Sequence, residues 1–171
     1  MPTPKPSTTI EHVDRVPSID FAAWHNQHGI TTVLFDIEGT ITEWADPAVD
    51  PAVITALQTA RANGIQHLGL VTNINSKHKD RVTEVAQQIQ ADTMRYPISF
   101  GMRKPSGKMI TSSLDELGVD PRSCAFVGDK IVDIMAARNA GVNRVAWVQR
   151  HGTADHWFDR FVYRHIEKLF R

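Results

Sequence analysis

TTVLFDIEGT, residues 31–40, decides how the rest of the chain is read. A β-branched and apolar run without charge climbs to Asp36, which predicts a buried strand whose last residue leaves the core. Glu38 stands two positions on, and an extended segment sends alternate residues to the same side, so both carboxyls face one pocket. Like charges placed together repel and invite either a cation or a proton.

The same pattern recurs outward from this point. HLGLVTN (67–73), SCAFVGD (123–129) and VNRVAWV (142–148) read as further buried strands, and ADTMRY (91–96) as a short one. Between them lie helical stretches. SIDFAAWHNQH (18–28) is closed by Gly29, and Asp50 with Pro51 opens a helix that runs to Gly64. Ser76 is placed to cap KHKDRVTEVAQQIQ, SGKMITSSLDELG spans 106–118, and IVDIMAARNAG spans 131–141. DHWFDRFVYRHIEKLFR is expected to end the chain as a helix. Strand and helix alternate throughout, which predicts an α/β fold: a three-layer Rossmann-like sandwich around a mostly parallel five-stranded sheet. Residues 1–16 are expected to form a flexible tail, and 17–171 a single domain.

Composition narrows the function. The chain has 171 residues, 42% of them hydrophobic, with 19 basic and 19 acidic residues and no formal net charge. A balanced charge argues against a nucleic-acid binder with a broad basic face. The single Cys124 excludes an internal disulfide framework and fits a reducing compartment, so a cytoplasmic location is expected. No apolar run approaches membrane-spanning length, and the first residues do not read as a signal peptide. Cys124 sits inside an apolar stretch and reads as a buried, inert thiol. The eight histidines show no metal-binding spacing, and His25 and His28 read as surface residues.

Four strand exits carry reactive groups: Asp36 with Glu38, Thr72 with Asn73, Lys104 before Pro105, and Asp129 with Asp133. Taken singly, each has a plain explanation. One acid at a strand end is ordinarily a turn or cap residue, Thr72 can satisfy backbone, and Lys104 can be a solvated loop lysine. Three acids, a lysine and a threonine, each after its own apolar run, are harder to explain that way. In an open parallel sheet those ends line the crevice where ligands bind.

In order along the chain, DIEGT (36–40), VTN (71–73), KP (104–105) and GDKIVD (128–133) resemble the four signatures of the haloacid dehalogenase (HAD) superfamily of phosphatases. The resemblance covers residues 30 to 150 and implies a phosphomonoester hydrolase. It implies Asp36 as the nucleophile that forms an aspartyl-phosphate, and Glu38 as general acid and base where most of the superfamily has Asp. It implies Mg²⁺ held by Asp36, Asp129 and the backbone carbonyl of Glu38, with Asp133 as a supporting ligand or as the partner of a metal water or of Lys104. Thr72, Lys104 and the backbone N–H groups near Gly39 and Asn73 would hold the phosphoryl oxygens. The intervals from Thr40 to 67 and from Asn73 to Lys104 leave no room for a cap domain, so a capless member is expected.

The flanks are similar to small capless phosphatases of the phosphatidylglycerophosphatase type. The likeness rests on TEWADP (42–47), KDRV (79–82), KPSGK (104–108), the DxxAARNAG pattern at 133–141, and the pattern from Arg160 to Glu167. DIEGT and GDKIVD depart from that family, which usually has DxDNT and a longer spacing in the last motif. A phospholipid headgroup phosphate is therefore the implied substrate, with a soluble sugar or nucleotide phosphate, or a non-catalytic phosphoryl-binding module, as the alternatives. Phe158, Phe161, Val162, Ile166 and Leu169 recur at helical spacing among basic residues. Such a face either packs on the sheet or touches an anionic membrane as a peripheral contact.

Overall fold

The computed structural model describes residues 7–149. Strand β1 (Thr9–Val13) is followed by α1 (Phe21–His28), β2 (Thr32–Phe35), α2 (Pro51–Ala62), β3 (His67–Val71), α3 (Lys79–Ile89) and β4 (Thr93–Arg95). Then come α4 (Lys108–Leu117), β5 (Cys124–Gly128), α5 (Ile131–Asn139) and β6 (Arg144–Val148). The sheet has six strands in the order β1-β6-β5-β2-β3-β4, and every pairing is parallel.

Alternation along the strands builds the three layers. Val33 and Phe35 of β2 join Leu68, Leu70 and Val127 in a core with Trp24, Val53, Leu57 and Val85 from α1, α2 and α3. Leu34 points the other way and joins Phe126 and Val145 against Met109, Ile110 and Leu114 of α4 and Ile134 of α5. Because both faces are covered, β2 and β5 are buried at every residue, as a central parallel strand requires. Burying each large apolar side chain contributes about 1.5–3 kcal/mol, so these two strands anchor the sheet.

The sheet order creates the site. Successive strands β3 and β4 lie to one side of β2, and β5 and β6 lie to the other. The chain therefore reverses direction beside β2, and the exits of β2 and β5 open a crevice between them.

Three sequence expectations are corrected. The sheet has six strands, not five, and is wholly parallel. The extra strand is β1, inside the segment read as a flexible tail. Thr9–Val13 pairs with β6, Glu11 accepts a hydrogen bond from Trp24 Nε1 (3.0 Å) and pairs with Arg144 (2.6 Å), and His12 stacks on Trp147. Those partners are distant in sequence, which is why local composition missed them. Next, α3 starts at Lys79. Asn75, not Ser76, accepts from Lys77 N–H to open a short 3₁₀ turn ahead of it. Finally, His25 is half-buried: its Nδ1 lies 3.1 Å from Ile30 O, and its ring fills the space beside Gly64, while His28 is exposed. Asp50 caps α2 as expected, accepting from Ala52 N–H at 2.8 Å. The helix expected near the C-terminus lies outside the described residues.

Candidate active site

Asp36 sits one residue past β2, and its N–H still donates to Val127 O of β5 (2.9 Å). The side chain is thereby held at the crevice mouth while remaining buried. Asp129 follows β5 directly, and its carbonyl accepts from the Trp147 indole (3.1 Å). Asp133 lies in the first turn of α5, where its Oδ2 accepts from Lys130 N–H (3.0 Å). Lys104 comes from the loop before α4, with a cis peptide to Pro105.

These residues meet. Carboxylate oxygens of Asp36, Asp129 and Asp133, all three residues buried, lie within 4.8 Å of one another. Lys104 Nζ donates to Asp36 Oδ1 (2.7 Å), Asp133 Oδ1 (2.6 Å) and Val71 O (3.0 Å), and stands over the Phe126 ring. Burial alone would push the Lys104 ammonium down, but the Asp133 and Asp36 carboxylates outweigh it and hold the group above the usual lysine range. Burial, with the neighbouring Asp36 carboxylate, holds the Asp133 carboxyl above the usual carboxylate range, although Lys104 and the Lys130 N–H oppose the rise. The half-buried Lys130 ammonium is also raised: desolvation opposes it, and Asp36, Asp129 and Asp133 overcome the desolvation.

Two glycines make this crowding possible. A Cβ on Gly39, whose φ is +79°, would stand 2.6 Å from Asp129 Oδ2. One on Gly128 would stand 2.5 Å from Asp133 Oδ2. Only a residue without a side chain admits the carboxylates at these places.

The cluster fits a divalent cation. Three carboxylates face the ammonium groups of Lys104 and Lys130, so acidic groups outnumber basic ones in a small volume, and the donors are all hard oxygens. Asp36, Asp129 and Asp133 are the residues that would hold Mg²⁺.

The remaining expected site residues gather around it. A cavity of about 220 Å³ is lined by Asp36, Glu38, Thr72, Asn73, Lys104 and Asp133, with Ile74, Lys130 and Val132. Thr72 Oγ1 accepts from Ile74 N–H (3.2 Å), which leaves its O–H as a donor. Asn73 makes a reciprocal pair with Lys104: its Oδ1 accepts from Lys104 N–H (2.8 Å) and its Nδ2 donates to Lys104 O (3.2 Å). Asn73 thus fixes the lysine loop, and its own N–H has no acceptor among the described residues. Gly39 departs from expectation: its N–H donates to Thr42 O (2.8 Å), so the unengaged donor at this turn is Glu38 N–H.

Glu38 holds a partner that the sequence did not announce. Its Oε1 receives Arg81 of α3 at 2.7 Å and the Ala45 N–H at 3.1 Å. Lys130 was likewise missed as a cavity residue. The sequence marked KDRV but could not say that Arg81 pairs with Glu38. Cys124 is buried, and burial pushes its thiol up, in keeping with an inert role. A larger cavity of about 500 Å³ lies between Asp14–Pro17, Gly39–Glu43 and Val148, but it holds neither Lys104 nor any of the three clustered aspartates, so the chemistry lies in the smaller one.

A sequence model described as haloacid dehalogenase-like hydrolase matches residues 11–141. The chain belongs to this family. Among curated proteins, it is similar to "Probable phosphatase YqeG" of Bacillus subtilis (strain 168), 21% identical over 70% of this chain and 64% of the relative. It is also similar to "Putative pyrophosphatase PpaX" of Clostridium perfringens (strain 13 / Type A), 33% identical over 50% of this chain and 40% of the relative. The chain therefore spans less than two thirds of the length of both. Among solved structures, CbbY from Rhodobacter sphaeroides, in complex with phosphate, shares the fold with a TM-score of 0.53 at 16% identity, over 74% of this chain and 91% of that one. The family's fold agrees with the sandwich described above. Between β2 and β3, and between β3 and the Lys104 loop, the chain holds one α-helix each, plus short turns and β4, with no cap domain. No described helix is long and apolar enough to cross a membrane.

Proposed function

We propose that this chain is a Mg²⁺-dependent phosphomonoester hydrolase that works through an aspartyl-phosphate on Asp36. The observation that carries the reading is the buried cluster of Asp36, Asp129 and Asp133 with Lys104 at the switch point of the sheet. Asp36 Oδ1 is held by Lys104, and Oδ2, which takes no hydrogen bond among the described residues, is the atom that attacks phosphorus. The P–O bond to the leaving group breaks, and the departing oxygen takes the Glu38 proton. Glu38 then accepts a proton from water. The water oxygen bonds to phosphorus, the P–O bond to Asp36 breaks, and inorganic phosphate leaves with the Asp36 carboxylate restored. Thr72 O–H, Asn73 N–H, Glu38 N–H and Lys104 supply fixed donors for the phosphoryl oxygens. When bound, Mg²⁺ would neutralise charge on the phosphoryl group.

The substrate class proposed is a phosphate on a large or membrane-held molecule, a phospholipid headgroup such as phosphatidylglycerophosphate. A cavity of about 220 Å³ is below the roughly 300–1,000 Å³ usual for whole small ligands. It accommodates the phosphoryl group and leaves the rest of the substrate outside. Trp44, Ile98 and Phe100 stand exposed on loops that leave the same edge of the sheet, which suits peripheral contact with a membrane from a cytoplasmic enzyme. The test is phosphate release from p-nitrophenyl phosphate with and without Mg²⁺, then from phosphorylated metabolites and from phospholipids in anionic liposomes. Asp36→Asn should abolish turnover, a loss on the order of 10³-fold or more. Turnover of sugar or nucleotide phosphates alone would replace the lipid reading with a soluble one. Turnover of nothing would favour a phosphoryl-binding module.

A further inference from the structure

We propose that the chain seats on an anionic lipid surface through one lip of the crevice, built by the loops after β3 and β4. Ile98 and Phe100 enter the lipid, and Lys77, Lys79 and Arg103 meet its phosphates. The role of this lip rests on the membrane-held substrate class given above; what is new is which residues, and which side of the mouth, face the lipid.

Charge divides the mouth. The segment after β2, residues 36–50, holds Asp36, Glu38, Glu43, Asp46 and Asp50 and no lysine or arginine. After β3, residues 72–79 hold Lys77 and Lys79 and no acid. After β4, residues 96–107 hold Arg103 and Lys104 and no acid. Lys104 is engaged by Asp36 and Asp133. Lys77, Lys79 and Arg103 pair with no carboxylate among the described residues. β3 and β4 are neighbours in the sheet, so their exits lie side by side. An anionic surface attracts this lip and repels the one after β2.

Apolar groups stand on the same basic lip. Phe100 is 90% exposed and Ile98 76%. Side chains left so far in water contribute little to folding. The loop is nevertheless anchored on both sides of them: Pro97 is buried, and Met102 packs against the core that contains Met109 and Ile110 of α4. An anchored loop that displays two large apolar groups beside unpaired cations suits an interface in which apolar burial and attraction to anionic lipid act together. Trp44 is also exposed, but it stands on the acidic lip beside Glu43 and takes no part.

Seating at this lip bears on the reaction through the chain itself. Phe100 comes four residues before Lys104. Asn73 ties that loop to the exit of β3 through the Lys104 N–H (2.8 Å) and carbonyl (3.2 Å). Lipid held at Phe100 therefore brings a headgroup phosphate to the opening of the cavity of about 220 Å³.

Binding is read by sedimentation with vesicles of phosphatidylglycerol and phosphatidylcholine, and with phosphatidylcholine alone. The wild type should pellet with the first, less so as salt rises, and stay in solution with the second. Ile98→Ser/Phe100→Ser should weaken binding on the order of 10-fold or more. Lys77→Gln/Lys79→Gln/Arg103→Gln should weaken it on the order of 10²-fold, about fivefold for each charge. Trp44→Ser should bind as the wild type does. None of these side chains lines the Lys104 cavity. Turnover of p-nitrophenyl phosphate should therefore stay within about twofold of wild type in each, while phosphate release from phosphatidylglycerophosphate in vesicles falls with binding. A wild type that hydrolyses the soluble ester yet remains in the supernatant at low salt would overturn the lip and leave the phosphatase reading standing. Equal binding by the wild type and Ile98→Ser/Phe100→Ser would overturn it as well. So would a dimer that this double variant converts to monomer without any vesicle binding, which would assign the lip to a second copy of the chain. If no ester is hydrolysed while vesicle binding falls in the variants as stated, the lip stands and the phosphatase reading fails.

Discussion

Lys104 has its ammonium within 3.0 Å of two carboxylates and a carbonyl, sealed from water beside Phe126. Removing one partner of a buried ion pair leaves the others uncompensated, so Lys104→Met should destabilise the metal-free protein by about 3–5 kcal/mol, read from denaturant unfolding in EDTA. The pH dependence follows from the direction of its shift. A lysine raised above its unfolded value contributes in full below that value and loses the contribution only as pH climbs through the folded one. The stability gap between wild type and Lys104→Met should therefore stay constant up to about pH 10 and close only above it. Closure near neutral pH would mean that the ammonium is not held as described. At this scale the sequence was informative wherever a reactive group followed an apolar strand, as with Asp36, Thr72 and Asp129, whereas Lys104 lies in the loop before α4 and not at a strand exit. It was silent on Arg81 and Lys130, because nothing in a charged helix or turn says that one pairs with Glu38 and the other lines the cavity.

Elements deliver these residues through two kinds of tight fit. One is the approach of α5 to the end of β5, where Asp133 lies against Gly128. Gly128→Ala would bring a methyl to 2.5 Å from Asp133 Oδ2 and must displace that carboxylate. We expect a loss of about 1–3 kcal/mol in thermal unfolding, and a larger loss of turnover, because Lys104 moves with its partner. The other is the docking of β1 on the sheet edge. Glu11 joins Trp24 of α1 to Arg144 of β6, and Arg144 Nε is already buried without an acceptor among the described residues. Glu11→Ala should cost about 1–3 kcal/mol in denaturant unfolding, with turnover per folded molecule unchanged, since β1 lies at the edge farthest from β4 and contributes no residue to the smaller cavity. The buried strands were legible because both faces are apolar. β1 was not, because its residues are half-exposed and the strand it pairs with, β6, lies more than a hundred residues away.

For the whole molecule, strand alternation predicted the layers but not the sheet order, since no local pattern records which strands become neighbours. The excess of negative charge at the reversal in that order has a thermodynamic consequence. A cation that binds only the folded chain stabilises it, by about 2.7 kcal/mol at a hundredfold its dissociation constant. Mg²⁺ should raise the melting temperature, EDTA should reverse the rise, and Asp129→Asn should remove most of it. A melting curve indifferent to Mg²⁺ in the wild type would reject the cluster as its site. The parallel arrangement has one more result. Every loop that carries chemistry leaves one rim, while the turn at Pro121–Ser123 belongs to the opposite rim, and Arg122 there is exposed. With Cys124 buried as the sole native thiol, an Arg122→Cys chain would offer a single reactive handle. Tethered to a bead or sensor chip by that handle, the protein would present the mouth of the Lys104 cavity outward to vesicles or soluble esters alike.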